Sequence, residues 1–389
     1  MKKLGYIIFY LNLTIIISFN LISYCFRLFD SNFSIVYAVS FYTLSILFVS
    51  LEGGIRAFRF SRLSLLLFFL LLVILNLLIM QVDYGFTKFQ LLISRMFIGI
   101  VIIQLFLNLG YRINEKFIIG LGILISTVLL YQASLTNYIY RTSMIIVESE
   151  ISRTILGVIE DSRSLLFILI YTIVKFKKSP FYFFSISLFL FGILVTQTKQ
   201  TLFVILLVII PYVILNSKKN RDLRLLKRVG MTLIIFIVGR LMYNFDFVED
   251  IYSIAPRLFE FQDNISNYND RDNRGGMISW AFNLFLEKPL FGWGFGYTDQ
   301  AYSYPHNIIL ELLAELGFIG FLLFTVYFTH AYLTIRDKKL KIFVIAFSVL
   351  SLFSGNIMQN YFLFLALSFD YRFLETLKDK QSKLLLKKS

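Results

Sequence analysis

Cysteine is nearly absent from this 389-residue chain. Cys25 is the only one, so no intrachain disulfide or multi-thiolate metal site is available, and Cys25 reads as a small buried apolar residue. Histidine is almost as scarce, with His306 and His330 alone. Charge is thin too: 16% of residues are Asp, Glu, Lys or Arg, against about 25% in soluble domains, which excludes an ordinary water-soluble globule. Internal repeats, Pro-rich tracts and low-complexity tails are missing, and nothing in the pattern suggests a separate soluble domain.

What fills the chain instead is apolar: 58% hydrophobic, 18% aromatic, with mean hydropathy +0.74. Runs long enough to cross a hydrocarbon core of roughly 30 Å recur along the whole length. A spanning segment must satisfy its own backbone, and these runs do not alternate as barrel strands would, so each is expected to be a helix. The fold expected is all-α, a polytopic membrane bundle with spans at 5–26, 33–50, 64–82, 91–109, 117–134, 156–174, 181–196, 201–215, 230–245, 316–334, 342–354 and 357–373, about twelve in all. Glu160, Asp161 and Arg163 interrupt the sixth, and the last two share Gly355-Asn356 as their turn; a broken or re-entrant segment would serve equally well there. Lys2-Lys3 before an apolar run resembles a signal peptide, but the run is span-length with no small-x-small cleavage site after it, so it is expected to stay as the first span.

Basic residues fall on alternate loops: Lys2-Lys3, Arg56/Arg59/Arg62, Arg112/Lys116, Lys175/Lys177/Lys178, the run 218–228, Arg336/Lys338/Lys339/Lys341 and the tail 378–388. The positive-inside bias puts all of these, and both termini, on the cytoplasmic side of a multi-pass membrane protein. The formal charge of +14 is then a topology signal beside anionic lipid, not a nucleic-acid footprint. Three regions follow: 1–245 as N-terminal spans, 246–315 as a large extracytoplasmic loop with short helices, and 316–389 as C-terminal spans with a basic tail. Cations that remain on the outer side against the bias are Arg95, Arg153, Arg163, Lys199, Arg240, Arg271 and Arg274. Several of them converging would suit an anion in a cavity open to that side, since a guanidinium presents a planar fork to phosphate oxygens.

The end of the outer loop carries the densest polar signal. Gly292-Trp293-Gly294-Phe295-Gly296 is followed by Pro305-His306-Asn307, Glu311 and Glu315-Leu316-Gly317, where a water-facing loop meets an apolar helix. The glycines do not form a nucleotide loop, because no strand-to-helix unit surrounds them; they fit tight turns that bring backbone close to a ligand, with Trp293 as an apolar stacking face. Asp270-Arg271-Asp272 resembles the metal-holding Asp-x-Asp of nucleotide-sugar transferases, but on the outer side it reads as solvated charge. His330, near the inner end of its helix, reads as structural.

From Arg274 the order Arg, then Pro289-Leu290-Phe291-Gly292-Trp293-Gly294, then His306-Asn307 and a helix bearing Glu311, Glu315, Gly317 and Gly320 resembles the O-antigen ligase and polymerase superfamily of bacterial envelopes. The likeness is specific over residues 274–320 and architectural elsewhere. It implies a GT-C-like polytopic glycosyltransferase with its large outer loop between two late helices. Such an enzyme moves glycan from an undecaprenyl-diphosphate-linked oligosaccharide on the outer face, without metal or cofactor, among membrane lipids and with a chain-length regulator protein as a further partner. Two departures stand out. Where the family often has Ser-Arg, this chain has Thr198-Lys199, which keeps charge and loses the bidentate fork. The aromatic residue common four positions after the loop arginine is Ile278 here, and Arg274, not Arg271, keeps the spacing to Pro289.

Glycosyl transfer from a lipid diphosphate needs stabilisation of charge on the departing diphosphate and removal of the acceptor proton. Arg274 and Lys199, joined by Arg153, Arg163 or Arg240, suit the first need. His306 suits the second: after Pro305 it is expected in the first turn of the helix running to Gly317, where unpaired N–H groups disfavour imidazolium. Asn307, Glu311 and Glu315 share a face by four-residue spacing, so a carboxylate is the alternative base. The expected catalytic set is His306, Arg274 and Glu311; the expected substrate contacts are Lys199, Arg153, Arg163, Arg240, Asn307, Trp293 and Gly294. The function expected is a polymerase of lipid-linked repeat units for O-antigen, capsule or exopolysaccharide, with a ligase as the alternative within the same chemistry and a lipid-linked oligosaccharide flippase as the alternative outside it.

Overall fold

The structure, a computed structural model, describes residues 2–17, 33–53, 63–93, 98–136, 144–147, 150–153, 158–196, 198–217, 224, 227, 274–301, 305–335, 337–353, 357 and 360–368. Cys25, Arg95, Arg240, Arg271 and the expected ninth span 230–245 lie outside these residues. In chain order the helices are α1 (Lys2–Ile17), α2 (Phe33–Gly53), α3 (Leu63–Met80), α4 (Asp83–Leu92), α5 (Ile98–Asn108), α6 (Glu115–Thr136), α7 (Val158–Val174), α8 (Pro180–Val195), α9 (Lys199–Ser217, with a π turn at Ile205–Ile209), α10 (Arg274–Glu287), α11 (Tyr297–Ala301), α12 (Ile308–Thr334), α13 (Lys338–Phe353) and α14 (Tyr361–Ser368). One antiparallel hairpin, β1 (Met144–Val147) with β2 (Glu150–Arg153), interrupts this helical pattern. It falls in what was expected to be a loop, where the β-branched run Ile145-Ile146-Val147 favours a strand.

Every expected span that falls among the described residues contains a helix. α7 runs unbroken through Glu160, Asp161 and Arg163. Two differences matter for the site: the fourth expected span is preceded by a separate short helix, α4, and α12 starts at Ile308, before the expected membrane entry at 316. Among the described residues, α9 and α12 are by length and composition apolar enough to cross a membrane. Rows of large apolar side chains lie exposed on α3 (Leu71, Ile74, Leu75, Leu78, Ile79) and α8 (Phe181, Phe184, Phe191, Leu194), as lipid-facing helices require and soluble ones avoid.

The chain divides into two compact units. The first joins residues 1–19 and 25–114 with 265–389. In it α1 packs on α2 and α5 around Phe9, Phe106 and Tyr111, and the Tyr111 hydroxyl donates to Glu52 at 2.6 Å. The Tyr10 hydroxyl donates to the Arg112 carbonyl at 3.2 Å. α12 packs on α3, α10, α11, α13 and α14, which makes it the hub of the C-terminal part.

The second unit joins residues 20–24 with 115–264. α6, α7 and α8 pack closely because Gly122 lies against Ile168 and Phe189. The Ser179 hydroxyl caps α8 and Pro180 opens it, as a helix start favours. Gly120 and Gly122 sit two positions apart on α6, yet a Cβ at Gly120 meets nothing within 4 Å and one at Gly122 lies 2.7 Å from Ile168 and Phe189. Gly122→Val is therefore expected to destabilise by about 1–3 kcal/mol through overpacking, while Gly120→Val leaves the melting temperature unchanged or slightly raised. Thermal unfolding of the two variants in detergent measures this.

Candidate functional site

The signature segment is built on a broken helix. Within α12, Gly317 departs from helical geometry at φ 66° and ψ −168°. The groups that an intact helix would pair with each other face outward there, and the segment 289–294 takes all four of them. Phe318 and Ile319 donate to the carbonyls of Pro289 and Leu290 at 2.8 and 3.3 Å, while Trp293 and Gly294 donate to those of Ala314 and Glu315, each at 2.9 Å. Glycine is needed on both sides of this splice: both Gly292 and Gly317 have positive φ, and a Cβ on either would lie 2.4 Å from the opposing backbone. Gly294 and Gly296 also have positive φ, against Met80/Val82 and Gly85 respectively. Gly292, Gly296 and Gly317 thus bring backbone close to backbone, while Gly294 lies against the Met80 and Val82 side chains.

Two polar residues from earlier helices secure the segment. Asn76, a buried amide near the end of apolar α3, donates to the Phe291 carbonyl at 3.1 Å and accepts from the Phe295 N–H at 2.8 Å. Lys88 on α4 is fully buried. Its Nζ lies 2.6 Å from Asp299 Oδ2 on α11, 2.6 Å from Glu311 Oε1, and 2.8 and 2.9 Å from the two oxygens of Glu315 on α12. Glu311 Oε2 accepts from the Ile357 N–H at 2.8 Å, and Glu315 Oε1 from the Thr298 N–H and hydroxyl at 3.2 and 2.6 Å. Burial works against the Lys88 charge, but Glu311, Glu315 and Asp299 together raise its pKa above the ordinary lysine range. Its contribution to stability is therefore complete below about pH 10.4 and is lost only as pH rises through the higher folded value. The three carboxylates, with oxygens within 4.8 Å of one another, are of the type that binds a hard cation. Lys88 already supplies that cation.

His306 is not in the helix. Asn307 is the N-cap of α12, its side-chain oxygen accepting from the N–H groups of Ile309 and Leu310 at 2.9 and 3.2 Å. The free helix N-terminus expected to hold His306 neutral is in this way already occupied by Asn307. His306 precedes the cap, half-buried, in the left-handed region at φ 54°, which is uncommon for a non-glycine residue and clusters at functional sites. Asn307 Nδ2 also donates to the Leu352 carbonyl at 3.0 Å, tying this corner to α13.

The remaining expected residues divide between the units. Arg274 opens α10, which packs on α12 through Ala281, Leu284 and Ala314. The Trp293 indole donates to the Leu284 carbonyl at 3.0 Å, stacks on Tyr297 and carries the Lys288 ammonium 3.8 Å above its ring. In the second unit Lys199 starts α9, two residues before the expected span at 201, and Arg163 is buried on α7. The hydroxyls of Ser162 and Thr201, 3.0 Å apart, pin the first turns of those two helices together. Arg153 lies on β2.

Lys88 and Asn76 were missed by sequence reasoning, though each left a signal. By the expected alternation of loops Lys88 would be an outer-side cation against the positive-inside bias, and Asn76 is a lone amide in an apolar run.

A helical membrane protein with a polar, charge-clamped corner is the class these features define. Residues 184–325, from α8 through most of α12, match the family model Wzy_C, described as O-antigen ligase, so the resemblance in the signature extends back over Lys199. No curated protein matches the chain. The family's members are membrane glycosyltransferase-like enzymes, and the match supports a role in O-antigen assembly.

Lys88→Met leaves buried carboxylates without their cation and is expected to cost about 3–5 kcal/mol. Adding Glu311→Gln and Glu315→Gln removes two of the three uncompensated charges, leaving Asp299, and should recover part of the loss, read as a melting temperature between those of Lys88→Met and the native protein.

Proposed function

We propose that the protein joins lipid-linked oligosaccharide repeat units on the outer face of the cytoplasmic membrane, as a polysaccharide polymerase. The observation that carries the reading is the coincidence of the family match with a rigidly built corner in which His306 is held out of the helix beside it. In this reaction the acceptor hydroxyl attacks the anomeric carbon of the donor, the bond from that carbon to the diphosphate oxygen breaks, and undecaprenyl diphosphate leaves. His306 takes the acceptor proton. Arg274 counters the charge on the departing diphosphate, with Lys199, Arg153, Arg163 and Arg240 as further candidates. Glu311 is assigned a positioning role, because both its oxygens are engaged, by Lys88 and the Ile357 N–H.

Purified protein given only lipid-diphosphate repeat units should release undecaprenyl diphosphate and lengthen glycan. A requirement for a separate acceptor would make it a ligase, and movement of substrate across liposomes without bond cleavage would make it a transporter. His306→Ala and Arg274→Ala should each abolish product while leaving membrane insertion intact; native product levels in either variant would remove that residue from the site.

A further inference from the structure

α10 buries one face and leaves another bare. Ala281 and Leu284 pack toward α12, while Ile278, Phe282 and Leu286, spaced by four residues, are 45, 46 and 58% exposed. Leu290 and Phe291, beyond the helix end, continue the row at 59 and 55% exposure. This loop was expected to face water, where such a row has no place.

The row is continuous with the apolar face of a membrane-crossing helix. The splice at Gly317 sets Pro289 and Leu290 against Phe318 and Ile319 by backbone hydrogen bonds. Phe318, Leu322 and Val326 are likewise exposed, at four-residue spacing, on α12. Of the exposed polar residues of α10, Ser279 borders the row beside Leu286, while Asn283 and Glu287 lie roughly 100° and 140° around the helix from Phe282.

We infer that α10 lies in the plane of the membrane interface, with Ile278, Phe282, Leu286, Leu290 and Phe291 inserted among the acyl chains of the outer leaflet. The occupant of the bare face is phospholipid hydrocarbon, as for other amphipathic helices that rest at an interface. The helix thereby fixes the depth of the segment it leads into. The inference rests on the membrane-spanning reading of α12 and not on the reaction proposed above.

Site-directed spin labelling tests it without using activity. In a Cys25→Ser background, cysteine placed at Phe282 or Leu286 is labelled, and the full chain is reconstituted in phosphatidylcholine–phosphatidylglycerol vesicles. Labels at both positions should be severalfold more accessible to oxygen than to a water-soluble nickel chelate, with the ratio reversed for labels at Asn283 and Glu287. Equal nickel access at all four positions would place the helix in water and overturn the inference. Low access to both reagents at Phe282 and Leu286 would mean that protein covers the row, which overturns it as well.

Discussion

A single buried ammonium organises the polar end of the first unit. Lys88 has no water to solvate it, and it draws together carboxylates from two other helices. Desolvating one cation and several anions is costly unless the geometry is close and the remaining oxygens find donors. Here they do, in Thr298 and the Ile357 N–H. The cluster therefore acts as a lock with steep penalties for partial opening, a property suited to holding a loop that must not drift.

What the lock holds is a helix whose own ladder has been opened. The break at Gly317 exposes donors and acceptors on both sides of one turn, and the segment 289–294 satisfies them from outside. Unpaired, those groups would be expensive at the membrane boundary, so break and segment depend on each other. The spacing from Pro289 to Gly294 and from Glu311 to Gly317 is thereby explained without reference to substrate. It is the geometry of a backbone splice, and His306 sits in the loop between its two halves.

Much of the helical fold was legible because span-length apolar runs have few alternatives in a bilayer. The location of the corner was legible too, because polar residues at a span end are rare. The pairing within it was not. Glu311 and Glu315 share a face as their spacing implied, but their partner Lys88 lies more than two hundred residues earlier on a helix too short and mixed in character to stand out. His306 was placed one turn too far into the helix because Pro305 was read as the helix start, whereas Asn307 has the side chain that caps it. The glycines were correctly read as turn formers, but spacing alone does not say whether backbone or ligand approaches them.

The claim on which the account turns is that the Lys88 cluster holds the signature segment onto α12. Hydrogen exchange at the Trp293 and Gly294 amides, in the native protein and in Lys88→Met, tests it most directly. The account predicts slow exchange at both amides in the native protein and a selective loss of that protection in the variant, with α1 and α5 unchanged. Fast exchange at Trp293 and Gly294 in the native protein, or identical protection in the two proteins, would contradict it.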